Sequence, residues 1–376
     1  MKKIWMGFIL VGLLFITGCN KNTTPKVDPL VAAEDCQVAT LEGNWVCTWA
    51  DEFEGDSVDE TKWTYEINGS GGGNQELQYY IKENTTVADS ILTITAKKES
   101  YLTRNYTSSR IRTLYKADFL YGRFQIRAKN PVGRGTWPAV WMMPSQSLYG
   151  GWPRSGEIDI MEYVGYDPNY THHTIHTEDL NHNLGTQVGK SYYLPDSNQE
   201  FHVYELEWNP GELIFYVDGT SVFQFRYVPG LNQNVKYHEV FPFDQKFYMI
   251  LNLAVGGTWG GSQGVDDSIF PTNFQIDYVR YYQRDYGVID KEAPEQVTGI
   301  TLATLPNTFY WEKTPDNYLV NYYEVYINGE YYDDANVNQY TYDKAIKDVR
   351  YTIELVAVDF AGNRGPKSSK FTFDGE

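Results

Sequence analysis

The chain has 376 residues, of which 42% are hydrophobic, 21% charged and 16% aromatic, with a formal charge of −18. That apolar content supports a packed core and excludes general disorder, and the length suggests about two domains. The acidic balance excludes nucleic acid and anionic membrane surfaces as partners, weighs against strongly sulfated substrates and leaves a neutral one open. The aromatic load (10 Trp, 32 Tyr, 18 Phe), with 32 Gly and 16 Pro, points to strands and tight turns, not helical bundles.

Residues 1–19 come first. Met1-Lys2-Lys3, an apolar run from Ile4 to Ile16 and Thr17-Gly18-Cys19 form a secretory signal, with an apolar run too short to span a bilayer. The end of this segment, Ile16 to Cys19, resembles a bacterial lipobox. The resemblance implies a lipidated Cys19 and attachment to a bacterial membrane through that lipid alone, facing the periplasm or the cell surface, with the outer membrane the expected place. Residues 20–40 are polar and Pro-containing, which suits a tether. Cys36 and Cys47 are then the only cysteines left. In an oxidising compartment they are expected to pair; two free thiols are the alternative. Neither has a partner at metal-ligand spacing.

Residues 41–286 read as short strands broken by turn signals, with no helical periodicity of useful length, and predict one large all-β sandwich. Strands are expected at Ile91–Ala96, Gly122–Arg127, Tyr248–Leu253 and Phe274–Tyr282. Leu213 to Phe223 reads as a hairpin whose Asp218-Gly219 pair supplies the positive φ angles of a type I′ turn. A linker is expected at 287–293. Residues 294–376 then show the size, the alternation, an early Trp311, a hairpin at Asn328-Gly329 and a late Tyr of a smaller immunoglobulin-like sandwich. This segment resembles a fibronectin type III module and carries no chemistry of its own.

The chemistry sits in Gly156-Glu157-Ile158-Asp159-Ile160-Met161-Glu162. Acids are 49 of 376 residues, so three acids at this loose spacing arise by chance roughly once per chain. Glu54/Asp56/Asp59 and Asp290/Glu292/Glu295 match it too, but they lie among turn residues and read as solvated charge. Only Glu157, Asp159 and Glu162 are interleaved with Ile, Ile and Met. Alternation puts Glu157 and Asp159 on one face with Ile158 and Ile160 toward a core, and would turn Glu162 inward. A buried lone carboxylate costs several kcal/mol, so a β-bulge near Met161, or a partner for Glu162, is required. Carboxylates crowded on one face raise the proton affinity of at least one. Glycoside hydrolysis needs that pairing of one ionised and one protonated acid.

The neighbours suit a sugar. Trp137 and Trp141 in Thr136-Trp137-Pro138-Ala139-Val140-Trp141, Trp152 just before the acids, and Trp259 between glycine pairs can stack on the apolar faces of glucose rings. Asn74 and Glu76, after Gly71-Gly72-Gly73, are candidate partners for hydroxyls, and His176 can lie on a strand beside the acids. For each of these a purely structural role is the competing reading.

Together with Asn74-Gln75-Glu76-Leu77-Gln78-Tyr79, Asn252-Leu253-Ala254-Val255-Gly256-Gly257 and Ile276-Asp277-Tyr278-Val279-Arg280, the acid strand resembles glycoside hydrolase family 16. The likeness is to its laminarinase/lichenase branch and runs over about residues 45–284. The resemblance implies a concanavalin-like β-jelly roll with a concave cleft, and retaining endo-hydrolysis of β-1,3- or mixed-linkage β-1,3-1,4-glucan. It implies Glu157 as nucleophile, Glu162 as general acid/base and Asp159 as the residue that tunes the nucleophile. It requires no cofactor for catalysis and implies a structural calcium held through Asp277, an ion that oxygen ligands suit. The stretch Thr174 to His182 is less typical of the branch. The expected partner is a neutral β-glucan, met by a monomer. An algal galactan hydrolase of the same fold and a non-catalytic glycan-binding lipoprotein are the rival readings.

Overall fold

The structure, a computed structural model, describes residues 30–228, 230–231 and 234–376. The signal segment and Cys19 lie outside these residues. Strands dominate, and the helices are single turns such as Tyr237–Val240 and Tyr286–Ile289.

Two large antiparallel sheets face each other. In one, the strands run in the order Thr40–Leu41, Trp45–Asp51, Thr272–Arg284, Gly122–Lys129, His202–Asn209, Glu212–Val217 and Thr220–Arg226, with Ile91–Ala96 and Thr85–Ala88 added beside Thr272–Arg284. The other has the order Val188–Tyr193, Tyr170–His176, Glu157–Glu162, Thr136–Pro144, Phe247–Val255, Arg110–Arg112 and Thr64–Tyr65. Ile91–Ala96, Gly122–Lys129 and Glu212–Val217 follow the two-residue alternation read from the sequence. Leu92, Ile94, Phe124, Ile126, Val140 and Leu251 are among the side chains that fill the space between the sheets. At about 25 cal/mol per Å2 of apolar surface, this layer is the main stabilising term. The hairpin at Asp218-Gly219 is present, with φ of 48° and 76°.

The C-terminal part of the expected tether, residues 30–40, is fastened down. Cys36 and Cys47 form a disulfide, the Leu30 N–H donates to Asp285, and Ala33 donates to the carbonyl of Cys47. Cys36, Trp45, Cys47, Ala50 and Tyr282 make a small core of their own. Residues 30–40 therefore pack on the outer edge of the sheet.

Beyond Ile289 the chain forms two small sheets: Thr301–Leu302, Thr308–Tyr310 and Gln339–Thr341 in one, and Glu330–Ala335, Val320–Ile327, Arg350–Asp359 and Phe371–Asp374 in the other. Their separate core holds Phe309, Trp311, Val325, Ile353 and Leu355. The Tyr351 hydroxyl accepts from the Ile346 N–H at 3.1 Å, the tie of a tyrosine corner. Within the expected linker 287–293, residues 288 and 291–293 are exposed and Asp290 is buried. The segment runs through the last turn of Tyr286–Ile289 and buries Asp290 to 1% exposure. The reading of Asp290 as solvated turn charge is thus corrected. Glu292 and Glu295 are exposed as expected, but Asp290 caps the helical turn where the second sandwich closes over it. Glu54, Asp56 and Asp59 are all exposed.

Candidate active site

The outer face of the seven-stranded sheet is a cleft of about 500 Å3, and the acid strand runs across it. Its bulge is present. Asp159 pairs with Thr174 and Glu162 with His172, so Ile160 and Met161 together oppose the single residue His173. The His173 ring lies 2.7 Å from the carbonyl of Ile160. Both Ile160 and Met161 point into the core at 0% exposure. The extra residue returns Glu162 to the face that carries Glu157 and Asp159, as the cost of burying it required.

Neighbouring strands complete the floor by register. Glu157 lies opposite His176, Glu162 opposite His172 and Ala139, and Asp159 opposite Trp141 and Thr174. The small Ala139 also faces Asn252. The Trp137 indole donates to Glu162 Oε1 at 3.0 Å, and the Trp152 indole donates to Glu157 Oε2. His176 Nε2 approaches Asp159 Oδ2 at 3.4 Å without the alignment of a hydrogen bond. Glu157, Asp159 and His176 each bring one donor atom within 4.8 Å of the others, a set that can move protons or hold a cation.

Burial is the main force on the acids. It pushes Glu157 up to about 8, helped by the Asp159 charge; the His176 and Trp152 contacts pull the other way. It raises Asp159, which a hydrogen bond shared with Glu157 holds back. Glu162 is raised well above the usual carboxylate range by burial and by Asp159, against the Trp137 donation. Glu157 and Glu162 open partly onto the cleft, so water there tempers the push. Burial lowers His172 and His182, which are neutral at pH 7. The site thus holds protons on carboxyls at a pH where free carboxyls are ionised.

The tryptophans divide by role. Trp137 and Trp259 meet edge to face with centroids 5.5 Å apart, Trp259 also packs on His172, and both indoles line the cleft. Trp152 is 36% exposed at the cleft edge, beside His176 and His182. Trp141 lies deeper. Its indole donates to Asn252 at 2.7 Å, and the Arg110 guanidinium covers its ring at 4.7 Å. Asn74 lines the cleft. Glu76 is 5% exposed, and its Oε2 accepts from Gln78 at 2.6 Å and from the Tyr80 hydroxyl at 3.1 Å. Tyr80 in turn accepts from Asn252 at 3.2 Å. Glu76 therefore braces the floor through Asn252 more than it faces a ligand. Gly72 is needed here, because a Cβ on it would meet the Glu76 carboxyl at 2.1–2.7 Å.

His172 and His182 were not singled out from the sequence. The signal for His172 was available: residues 172, 174 and 176 alternate with the buried His173 and Ile175, so the same two-residue count that placed Glu157 also places His172. His182 sits in a loop and had no such signal.

Asp277 lies apart from the cleft, on the strand Thr272–Arg284, and forms an ion pair with Arg127. A cation already faces its carboxylate, and it belongs to none of the acid or histidine groups of three found among the described residues.

Two carboxylates kept on one face of a Trp-lined cleft, with their proton affinities raised, define a glycoside hydrolase built on a β-sandwich. The chain belongs to the glycosyl hydrolases family 16, whose model matches residues 72–280. It is 47% identical over 246 residues to a β-glucanase of Rhodothermus marinus, covering 64% of this chain and 86% of the relative. The solved laminarinase structure of Rhodothermus marinus superposes with a TM-score of 0.62 at 48% identity, over 64% of this chain and 97% of that one. SCLam, a non-specific endo-β-1,3(4)-glucanase, matches with a TM-score of 0.59 at 39% identity, over 70% and 96%.

Proposed function

We propose that the chain cuts β-glucan at internal β-1,3 bonds, in pure or mixed-linkage polymer, with retention of configuration. The observation that carries this reading is the bulge at Ile160–Met161, which sets Glu157 and Glu162 on one face of the Trp-lined cleft. Glu162, held protonated by burial, gives its proton to the leaving oxygen while Glu157, ionised with the shared proton resting on Asp159, attacks the anomeric carbon. The glycosyl–Glu157 ester forms as the glycosidic C–O bond breaks. Glu162, now ionised and steadied by the Trp137 N–H, takes a proton from water, and that water releases the sugar from Glu157. Asp159 is the positioning residue. Its proton-sharing contact with Glu157 lets charge leave and return to the nucleophile without a bare anion in a buried place. The names of the relatives favour glucan over galactan. The cleft lining agrees: beside the acids it offers indoles, imidazoles, amides and hydroxyls, with Lys190 as its one lysine or arginine.

The test is reducing-sugar release from laminarin and barley glucan. Glu157→Ser is expected to lose more than about 1,000-fold in kcat/KM. Full activity in that variant removes the assignment, and an α-anomer as the first product in a proton NMR time course removes retention. We further propose, from the sequence, that Cys19 carries a lipid and that residues 294–376 are a fibronectin type III-like spacer. Release of a Cys19→Ser variant into the soluble fraction of the native host checks the first. Equal binding of insoluble curdlan with and without 294–376 checks the second.

A further inference from the structure

We propose that Asp290, Asp316 and Asp359 form a calcium site at the point where the chain leaves the large sandwich and enters the small one. The three acids come from three separate places. Asp290 ends the helical turn Tyr286–Ile289, Asp316 lies in the loop between Thr308–Tyr310 and Val320–Ile327, and Asp359 ends the strand Arg350–Asp359. One carboxylate oxygen from each falls within 4.8 Å of the other two.

The hydrogen bonds leave acceptors turned into this space. Asp290 is 1% exposed, and its Oδ1 accepts from Asn317 at 3.0 Å and from the Glu292 N–H at 3.2 Å, while its Oδ2 is buried with no partner. Asp316 Oδ1 is likewise buried and unpartnered; its Oδ2 accepts from the Tyr318 N–H at 3.2 Å. Asp359, also 1% exposed, accepts from the backbone and side chain of Asn363, both at 2.8 Å. Among the described residues no Lys, Arg or His forms an ion pair with any of the three. Burial and the charges of Asp290 and Asp359 push Asp316 up to about 6.

A buried carboxylate with no cation is among the least favourable groups a fold can contain, and here Asp290 and Asp359 are buried, Asp316 is half-buried beside them, and two oxygens lack any partner. Something positive must complete the cluster. The donors are all oxygen, with no sulfur or imidazole, which selects a hard cation. They also come from loops of irregular spacing, which suits the flexible six- to eight-fold coordination of calcium better than the strict octahedron of magnesium. The ion would fix the junction by joining the exit of one sandwich to two loops of the other. The junction already has hydrogen bonds from Asn317 and Asn363 and aromatic contacts: Tyr286 stacks on Phe360 at 4.9 Å, and Tyr121 meets the same ring at 5.9 Å.

The experiment is thermal unfolding and calorimetric titration of the full chain after chelator treatment. With 1 mM calcium the small sandwich is expected to melt about 5 °C higher or more, with saturable heat of binding. Asp316→Asn, close in shape and one charge poorer, is expected to weaken calcium binding at least 10-fold and, in chelator, to melt no lower than the wild type. No calcium shift and no heat in the wild type overturns the site, as does a larger shift with equal magnesium. A calcium response in Asp316→Asn and Asp290→Asn equal to the wild type also overturns it. The wild-type arm decides even if a variant fails to fold.

Discussion

Three carboxylates crowd together twice in this molecule, once at Glu157, Asp159 and Glu162 and once at Asp290, Asp316 and Asp359. In the first cluster the acids come from a single strand, open on a cleft, and meet N–H donors from Trp137 and Trp152 and an imidazole from His176. In the second they come from three distant stretches and face one another with two oxygens left bare. The same electrostatic conflict therefore has two resolutions. Where water and substrate can enter, raised proton affinity is an asset, because a protonated acid beside a carboxylate is what glycoside cleavage uses. Where nothing can enter but an ion, the conflict marks a place for a cation.

The difference breaks most visibly in activity. Glu162→Ala is expected to lose on the order of 100- to 10,000-fold in hydrolysis of laminarin. Azide is expected to restore part of the rate, giving a β-glycosyl azide, because a small anion can replace the water that Glu162 activates. Asp316→Asn is expected to stay within about twofold under the same assay. An Asp316→Asn loss comparable to that of Glu162→Ala would merge the two clusters into one functional unit and sink the distinction drawn between them.

Stability tests the same contrast from the other side. A carboxyl whose folded pKa lies above its unfolded value favours the folded state most when both states hold the proton. Its contribution is full below about 4.5 and is lost as pH rises through the folded value. For Glu157 that window closes at about 8. Glu157→Gln cannot titrate. It should therefore match the wild type near pH 4.5 and gain on it steadily, by about 2 kcal/mol at pH 8.5 once cleft water is allowed for. Chemical denaturation across this range measures the gain. A Glu157→Gln variant equally stable with the wild type at both ends would mean that the carboxyl carries no strain.

How far each cluster was legible follows from how it is assembled. Glu157, Asp159 and Glu162 lie within six residues of one strand, so a two-residue count and the cost of burying a charge were enough to place them and to demand the bulge. The strands themselves were legible for the same reason: Ile91–Ala96 begins and ends where the alternation does. Arg110, Tyr80 and Asn252 were not legible as parts of the floor. They reach it through pairings between strands distant in sequence, and register across such pairs leaves no trace in either strand alone. Asp290 was misread for a related reason. Its local neighbours are turn formers, and the burial comes from Asp316 and Asp359, 26 and 69 positions further on. Asp277 was legible as a motif residue, but its ion pair with Arg127 on the neighbouring strand was not.

The smallest expected effect is the sharpest on mechanism. Trp137 donates to Glu162 at 3.0 Å, and that bond favours the ionised carboxylate. Trp137→Phe keeps an aromatic face for the sugar and removes only the donor. With no N–H to steady the anion, the Glu162 carboxyl should hold its proton to higher pH. The alkaline limb of the kcat/KM profile should therefore move up by roughly 0.7 unit, the equivalent of a net hydrogen bond of about 1 kcal/mol. The acid limb belongs to the nucleophile and should stay where it is, because Trp152, not Trp137, donates to Glu157. If Trp137 serves only as a stacking surface, the substitution changes KM and leaves both limbs in place. If it positions the acid, the alkaline limb moves alone.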